Sequence, residues 1–203
     1  MIKKNNLNFF HYVYTIFFGY LFLLVAFCFL KINHLQNNAP KPINYLPDFN
    51  FYNHHGDLIT KDSLINKITI LDFIFTRCQG TCPIMSDFMK ELYKNYKGNP
   101  KVILISVTID PDHDTKDILN LYAQANEIDD NGWYFLTGDM EKIKGFGKNA
   151  FSLVSDFFPS THTKNFYLID NSGRYRKFYD GTNKKSIKSL KNHVDLLLSE
   201  IEA

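Results

Sequence analysis

The chain has 203 residues, of which 45% are hydrophobic and 22% are charged. These values are typical of one globular domain with an appendage, and they exclude collagen-like and wholly disordered chains. The formal net charge is +2, but the first 41 residues hold four lysines and no acidic residue, so the remaining residues hold 19 basic and 21 acidic side chains. A slightly acidic body without a basic stripe argues against nucleic-acid binding, because phosphates require clustered lysine and arginine.

An apolar segment near the N-terminus, residues 9–30, has no formally charged side chain over 22 residues. A helix of this length crosses a hydrocarbon core of about 30 Å. Lys3 and Lys4 precede it, which places residues 1–8 in the cytoplasm by the positive-inside rule. A cleavable signal peptide is the alternative, but the apolar run is long and no small-x-small cleavage site follows. We therefore expect a single-pass anchor in a bacterial inner membrane, with the soluble part in the periplasm.

The soluble part should begin at residue 47, after a linker over residues 31–46 that is rich in Asn, Gln and Pro. Alternating apolar runs and helical patterns follow in the order strand, helix, strand, helix, strand, helix, hairpin and helix. The predicted bounds are a strand at 68–76, a helix from Cys82 or Pro83, a strand at 101–110, a helix to about 125, a strand at 133–137, a helix from Asp139, a hairpin around 171–173 and a helix at 185–201. This order predicts a thioredoxin-like α/β domain over residues 47–203, with a central mixed sheet flanked by helices.

The stretch "FTRCQGTCPIM" places Cys78 and Cys82 where a strand is predicted to meet a helix. The helix dipole and unpaired backbone amides stabilise thiolates at such a position, so both thiols should be reactive. Two thiolates can close a disulfide or bind one soft metal ion. Free cysteines are also often simply buried in a core. The third cysteine, Cys28, lies in the apolar segment, where we interpret it as membrane packing.

A metal site would need further ligands, and the chain has seven histidines. His162 stands out because it lies in a polar loop, just before a strand predicted to lie beside the strand that leads to the cysteines. A loop histidine is often only solvated, so the residues alone leave its role open. The other six have ordinary interpretations: the anchor (His11), the linker (His34), a probable surface turn (His54 and His55), an acidic loop (His113) and the last helix (His193).

Four stretches, in this order, resemble the Sco/SenC family, the copper chaperones of cytochrome c oxidase assembly: "FIFTRCQGTCP", "SVTIDPDHDT", "WYFLTG" and "THTKNFYLIDNSG". The resemblance covers about residues 47–200. It implies that Cys78, Cys82 and His162 bind one copper ion, as Cu(I) or Cu(II). Asp110 and Asp114 match acidic positions of the family, and we interpret them as a loop anchor and a helix cap rather than as ligands. Thr115 is the alternative cap of the helix that follows.

The resemblance predicts a membrane-anchored copper chaperone, not an enzyme in the strict sense, that delivers copper to the CuA centre of oxidase subunit II or to another copper protein. The alternative is a thiol-disulfide reductase, in which Cys78 and Cys82 form a redox-active disulfide that a periplasmic thiol reductant restores. A zinc site would need a fourth protein ligand. Peroxidase chemistry fails on spacing, because Thr81 directly precedes Cys82. A copper sensor or buffer remains open.

Overall fold

The computed structural model describes residues 3–36, 39–153 and 164–202, which fall into two compact units, Met1–Ala39 and Pro40–Ala203. The first unit is one helix, α1 (Lys3–Gln36). Within it, Val13–Leu30 is long and apolar enough to cross a membrane, although a signal sequence can have the same length and composition. The helix therefore fits the expected anchor by length and composition.

The second unit is an eight-stranded mixed sheet with helices on both faces, which confirms the predicted fold. Its strand order is β1-β8-β7-β4-β5-β6-β2-β3. The strands are β1 (Asn44–Tyr45), β2 (Asn50–Asn53), β3 (Leu58–Thr60), β4 (Ile68–Ile74), β5 (Val102–Thr108), β6 (Trp133–Thr137), β7 (Asn165–Ile169) and β8 (Arg174–Asp180). The helices are α2 (Cys82–Tyr96), α3 (Lys116–Ala125), α4 (Met140–Phe151) and α5 (Lys184–Glu202), with a 3-10 turn at Lys61–Leu64.

The centre of the sheet is parallel, with β4 beside β5 and β5 beside β6. All residues of β4 and β5 are buried, because helices cover both faces and leave no polar side of the sheet. Helix α4 packs on one face through Ile143 and Phe146. Helices α2 and α3 cover the other face, where Tyr93 contacts Trp133 and Tyr122 contacts Phe135.

The chain joins the sheet earlier than predicted. Residues assigned to the end of the linker belong to the body, since β1 pairs with β8 and Leu46 is only 1% exposed. Strands β2 and β3 were not predicted, because they are short and β2 pairs with the distant β6. His54 lies at the β2–β3 turn but is buried, in contrast to the predicted surface position, and its Nδ1 accepts a hydrogen bond from the Phe135 amide.

Local sequence patterns, such as helix caps and turn residues, predicted the positions of the other helices and strands. Thr115 caps α3 by accepting a hydrogen bond from the Ile118 amide, and Asp139 caps α4 in the same way. Gly173 has a φ of +73° in the turn that joins β7 to β8, a backbone conformation that favours glycine. These signals are local, so they do not depend on how the sheet is completed.

Candidate metal centre

The two predicted cysteines lie together on the turn that joins β4 to α2. Cys78 is half-buried on this turn, while Cys82 is the first residue of α2 and is 3% exposed. Their side chains are hydrogen-bonded to each other. The structure therefore brings two sulfur donors close together at the N-terminus of a helix.

The environment of Cys78 favours its thiolate. Partial burial opposes ionisation, but hydrogen bonds from the Cys82 side chain and from the backbone of Cys82, Gly80 and Thr81 outweigh it and lower the pKa of Cys78. Amides at a helix N-terminus stabilise an anion in this way. Cys78 is therefore the more readily ionised of the two thiols.

Cys82 is shifted in the opposite direction. Burial raises the pKa of the Cys82 thiol, and its hydrogen bond to Cys78 raises it further. A backbone hydrogen bond with Phe75 acts against this rise. The pair thus combines one partly exposed sulfur that ionises easily with one buried sulfur that holds its proton more tightly.

A second loop, between β5 and α3, holds the cysteine turn in place. Asp114 accepts hydrogen bonds from the Thr76 amide at 3.1 Å, from Thr76 Oγ1 at 2.5 Å and from Thr108 Oγ1 at 2.6 Å. Asp110 Oδ2 accepts a hydrogen bond from Arg77 Nε at 3.0 Å. Asp110 and Asp114 therefore anchor the two residues that directly precede Cys78. The helix cap is Thr115 and not Asp114.

Potential ligand atoms of Asp110, His113 and Asp114 also lie within 4.8 Å of one another. However, hydrogen bonds to Thr76, Thr108 and His113 occupy both oxygens of Asp114. Asp110 forms an ion pair with Arg77. This cluster is accounted for by its anchoring contacts, and we assign no metal to it.

A buried carboxyl group, Asp72, was not identified from the sequence. It lies on β4 opposite Ser106 of β5, and the two side chains form a hydrogen bond. Ser106 Oγ also accepts a hydrogen bond from Trp133 Nε1 at 2.9 Å. Within the described residues, Asp72 Oδ1 has no hydrogen-bond partner. Burial raises the pKa of Asp72 to about 7, although the Ser106 bond lowers it. An acidic residue inside the apolar run "ITILDFIFT" was the available signal.

The third predicted ligand, His162, lies outside the described residues. The described chain resumes at Lys164, and β7 begins at Asn165. Strand β7 runs antiparallel to β4, with Leu71 opposite Tyr167, so β7 begins at the edge of the sheet where β4 ends. The described chain therefore resumes, two residues after His162, at the edge of the sheet that carries the cysteine turn.

Comparison with known proteins agrees with this fold. The SCO1 protein homolog of Bacillus subtilis is 32% identical over 147 residues, which are 69% of this chain and 76% of that protein. A SCO1/SenC family lipoprotein from Bacillus anthracis has a similar structure, with a TM-score of 0.71, 33% identity and coverage of 79% of this chain and 99% of the other.

A second solved structure is BsSco, described as a member of the Sco family of cytochrome c oxidase assembly proteins with a disulfide switch. It matches with a TM-score of 0.68 and 28% identity, over 79% of this chain and 98% of the other. The family model SCO1/SenC matches residues 37–196, which include the anchoring loop and both cysteines. This chain therefore belongs to the SCO1/SenC family.

Proposed function

We propose that this protein is a membrane-anchored copper chaperone that binds one copper ion through Cys78, Cys82 and His162 and delivers it to the CuA centre of cytochrome c oxidase subunit II. The observation that carries the proposal is the pair of hydrogen-bonded sulfur atoms at the N-terminus of α2. Thiolates are soft ligands that favour Cu(I), and the N-terminal amides offset their negative charge.

The geometry of the sheet supports His162 as the third ligand. The strand that follows it begins at the edge of the sheet that holds the cysteine turn. Two thiolates and one imidazole leave the ion with low coordination, so the ligands of an acceptor can replace them one at a time. Copper is the cargo here, and ScoI of Bradyrhizobium japonicum, a protein of the same fold at 22% identity, has been solved with copper bound.

The location is part of the proposal. Helix α1 would hold the copper site on the periplasmic face of the inner membrane, close to a membrane-bound oxidase. Lys3 and Lys4 support this orientation through the positive-inside rule. Cysteine labelling with a membrane-impermeant reagent in intact spheroplasts tests it, since Cys78 should react only if the body lies outside the cytoplasm.

Competition with a chromogenic Cu(I) chelator under anaerobic conditions tests the ligand set. Residues 40–203 should bind one copper ion per chain, and His162→Ala should weaken binding sharply. The matched control is His55→Ala, which removes an exposed histidine far along the chain from the cysteines. Binding that is indifferent to His162, or that weakens equally in both variants, would contradict the three-ligand site.

Thiol-disulfide exchange is a second candidate, favoured by the unequal burial of the two cysteines. The more exposed Cys78 would attack a partner disulfide and form a mixed disulfide. Cys82 would then displace the partner thiol. The partner gains two electrons, Cys78 and Cys82 become a disulfide, and a periplasmic dithiol must return the electrons. Cys82→Ser should trap the mixed disulfide with an oxidised peptide of the subunit II copper loop. His162→Ala should leave the rate at which the protein reduces that peptide unchanged.

A further inference from the structure

A groove with a cavity volume of about 450 Å³ lies between α2 and α5 on the surface of the body. Its floor is apolar, with Leu92 and Ile187 buried and Phe88 half-buried. Its rim carries four lysines of α5, Lys184, Lys185, Lys188 and Lys191, and one acidic residue of α2, Glu91. The volume is in the range of binding pockets, and an apolar floor under a mainly basic rim is typical of a recognition surface.

Three lysines of this rim are not neutralised. Within the described residues, Lys184, Lys185 and Lys188 have no carboxylate at ion-pair distance, whereas Lys191 of the same helix pairs with Asp195 at 3.0 Å. The first turn of α5 also holds no acidic residue. Positive charge at a helix N-terminus opposes the helix dipole, so these lysines are unfavourable for the stability of α5. A role in binding would account for their position.

The groove lies along the same helix as the cysteine site. Helix α2 begins at Cys82 and presents Ile84, which is 48% exposed, on the same face as Phe88 four residues later. Phe88 lies about 9 Å along the helix axis from Cys82, at about 1.5 Å per residue. The basic end of the groove is nearby, because Gly181, just before α5, closely approaches Met85 in the first turn of α2.

Helices α2 and α5 are also joined beyond the groove. Tyr96 at the end of α2 donates a hydrogen bond to Asp195 of α5 at 2.8 Å. This bond ties the two helices together at the end of α2 that lies away from the thiols. A molecule that lies in the groove and extends past Ile84 would reach the cysteine turn.

We propose that this groove docks the protein that exchanges copper with Cys78 and Cys82, through a segment of that partner with apolar side chains flanked by Asp or Glu. The proposal rests on the proposed function and names the surface that the acceptor contacts. The apolar floor would hold the partner's apolar side chains, and the lysine rim would attract its carboxylates and steer the encounter. The ligand exchange itself leaves the oxidation state of the copper ion unchanged.

The test is the rate of Cu(I) transfer from the full chain, in nanodiscs of neutral lipid, to the purified copper-free soluble domain of subunit II from the same organism. Lys185→Glu/Lys188→Glu is compared with Lys142→Glu/Lys148→Glu, which makes the same charge change on exposed positions of α4. Neither variant changes a proposed copper ligand, and Cu(I) affinity is measured first for each.

The groove variant should slow transfer roughly tenfold or more at low salt, with unchanged Cu(I) affinity, while the α4 variant transfers at the wild-type rate. The defect should shrink at about 0.5 M salt, where charges are screened. Phe88→Ala should slow transfer at both salt concentrations, because its contact is apolar.

Equal rates for the two charge variants would overturn the docking proposal while leaving the chaperone proposal intact. A wild-type protein that binds Cu(I) but transfers none to subunit II would overturn both. If the groove variant transfers normally but no longer binds vesicles of anionic phosphatidylglycerol, the groove faces lipid, and the docking proposal is wrong.

Discussion

The buried carboxyl group of Asp72 predicts an unusual dependence of stability on pH. Its pKa is 3.8 in an ordinary setting and about 7 in the folded protein, because burial disfavours the carboxylate. The folded state therefore holds a proton between these values that the unfolded state has lost, so the contribution of Asp72 to stability is fully present below pH 3.8 and is lost as pH rises through about 7. At about 1.36 kcal/mol per pH unit, the loss is about 4 kcal/mol.

Asp72→Asn removes this titration while preserving the shape of the side chain. The free energy of unfolding of the variant, relative to wild type, should therefore rise by about 3 kcal/mol between pH 4.5 and pH 8. Urea denaturation of residues 40–203, followed by tryptophan fluorescence at several pH values, measures this difference. Trp133 reports on the relevant region because it shares Ser106 as a hydrogen-bond partner with Asp72.

The comparison with wild type is essential because His54 acts in the opposite direction. Burial, followed by the neighbouring charge of His55, lowers the pKa of His54 to about 4, so its contribution to stability increases as pH rises from 4 to 6.5. The pH dependences due to Asp72 and His54 partly cancel in the wild-type protein. The difference in free energy of unfolding between the variant and wild type contains only the part due to Asp72. The control is Asp87→Asn, which makes the same substitution at an exposed position on α2. A difference for Asp72→Asn that does not change with pH, or that changes no more than that of the control, would refute the assignment of a proton to Asp72.

Three further predictions concern the cysteine turn and its surroundings. Iodoacetamide at pH 7 should alkylate Cys78 roughly tenfold faster than Cys82 in residues 40–203, because only Cys78 combines a lowered pKa with exposure, and peptide mapping reports both rates. Asp114→Ala removes four hydrogen bonds and should lower the free energy of unfolding by about 3 kcal/mol in urea denaturation; an unchanged midpoint would contradict its anchoring role. Gly181→Ala places a methyl group 3.1 Å from a backbone oxygen and from Met85, so it should lower the free energy of unfolding by about 1 kcal/mol or more, measured by thermal denaturation. The control is Gly145→Ala, which has open space around it and should leave stability unchanged or raise it.

Much of the fold follows from local patterns in the sequence. The central strands are apolar runs with β-branched residues, and each main helix has a cap or an apolar stripe, so β4 to α5 lie close to their predicted bounds. Strands β1 to β3 have two to four residues each, and their pairing depends on partners far along the chain. No local pattern specifies such pairing, so residues 44–60 could not be assigned from the sequence.

The residues of the candidate site also divide into those that a local pattern identifies and those that depend on distant parts of the chain. Cys78 and Cys82 were identified because their spacing and the following proline are local features. Asp72 and His54 were missed because their role depends on burial, which arises from elements that meet only in the folded protein. The anchoring of Thr76 by Asp114 joins residues that are 38 positions apart. The sequence analysis interpreted Asp114 as a structural residue, but only the fold shows that it holds Thr76.

The two edges of the sheet have a consequence for behaviour at high concentration. Edge strands expose unpaired backbone groups that can template pairing with another molecule, and long flat edges promote aggregation. Here the edges are β1, with two residues, and β3, with three. Each ladder is too short to pair stably with a second chain. Under the proposed membrane anchoring, copies of this protein would meet often on one surface, and the short edge strands would give them few backbone groups to pair with.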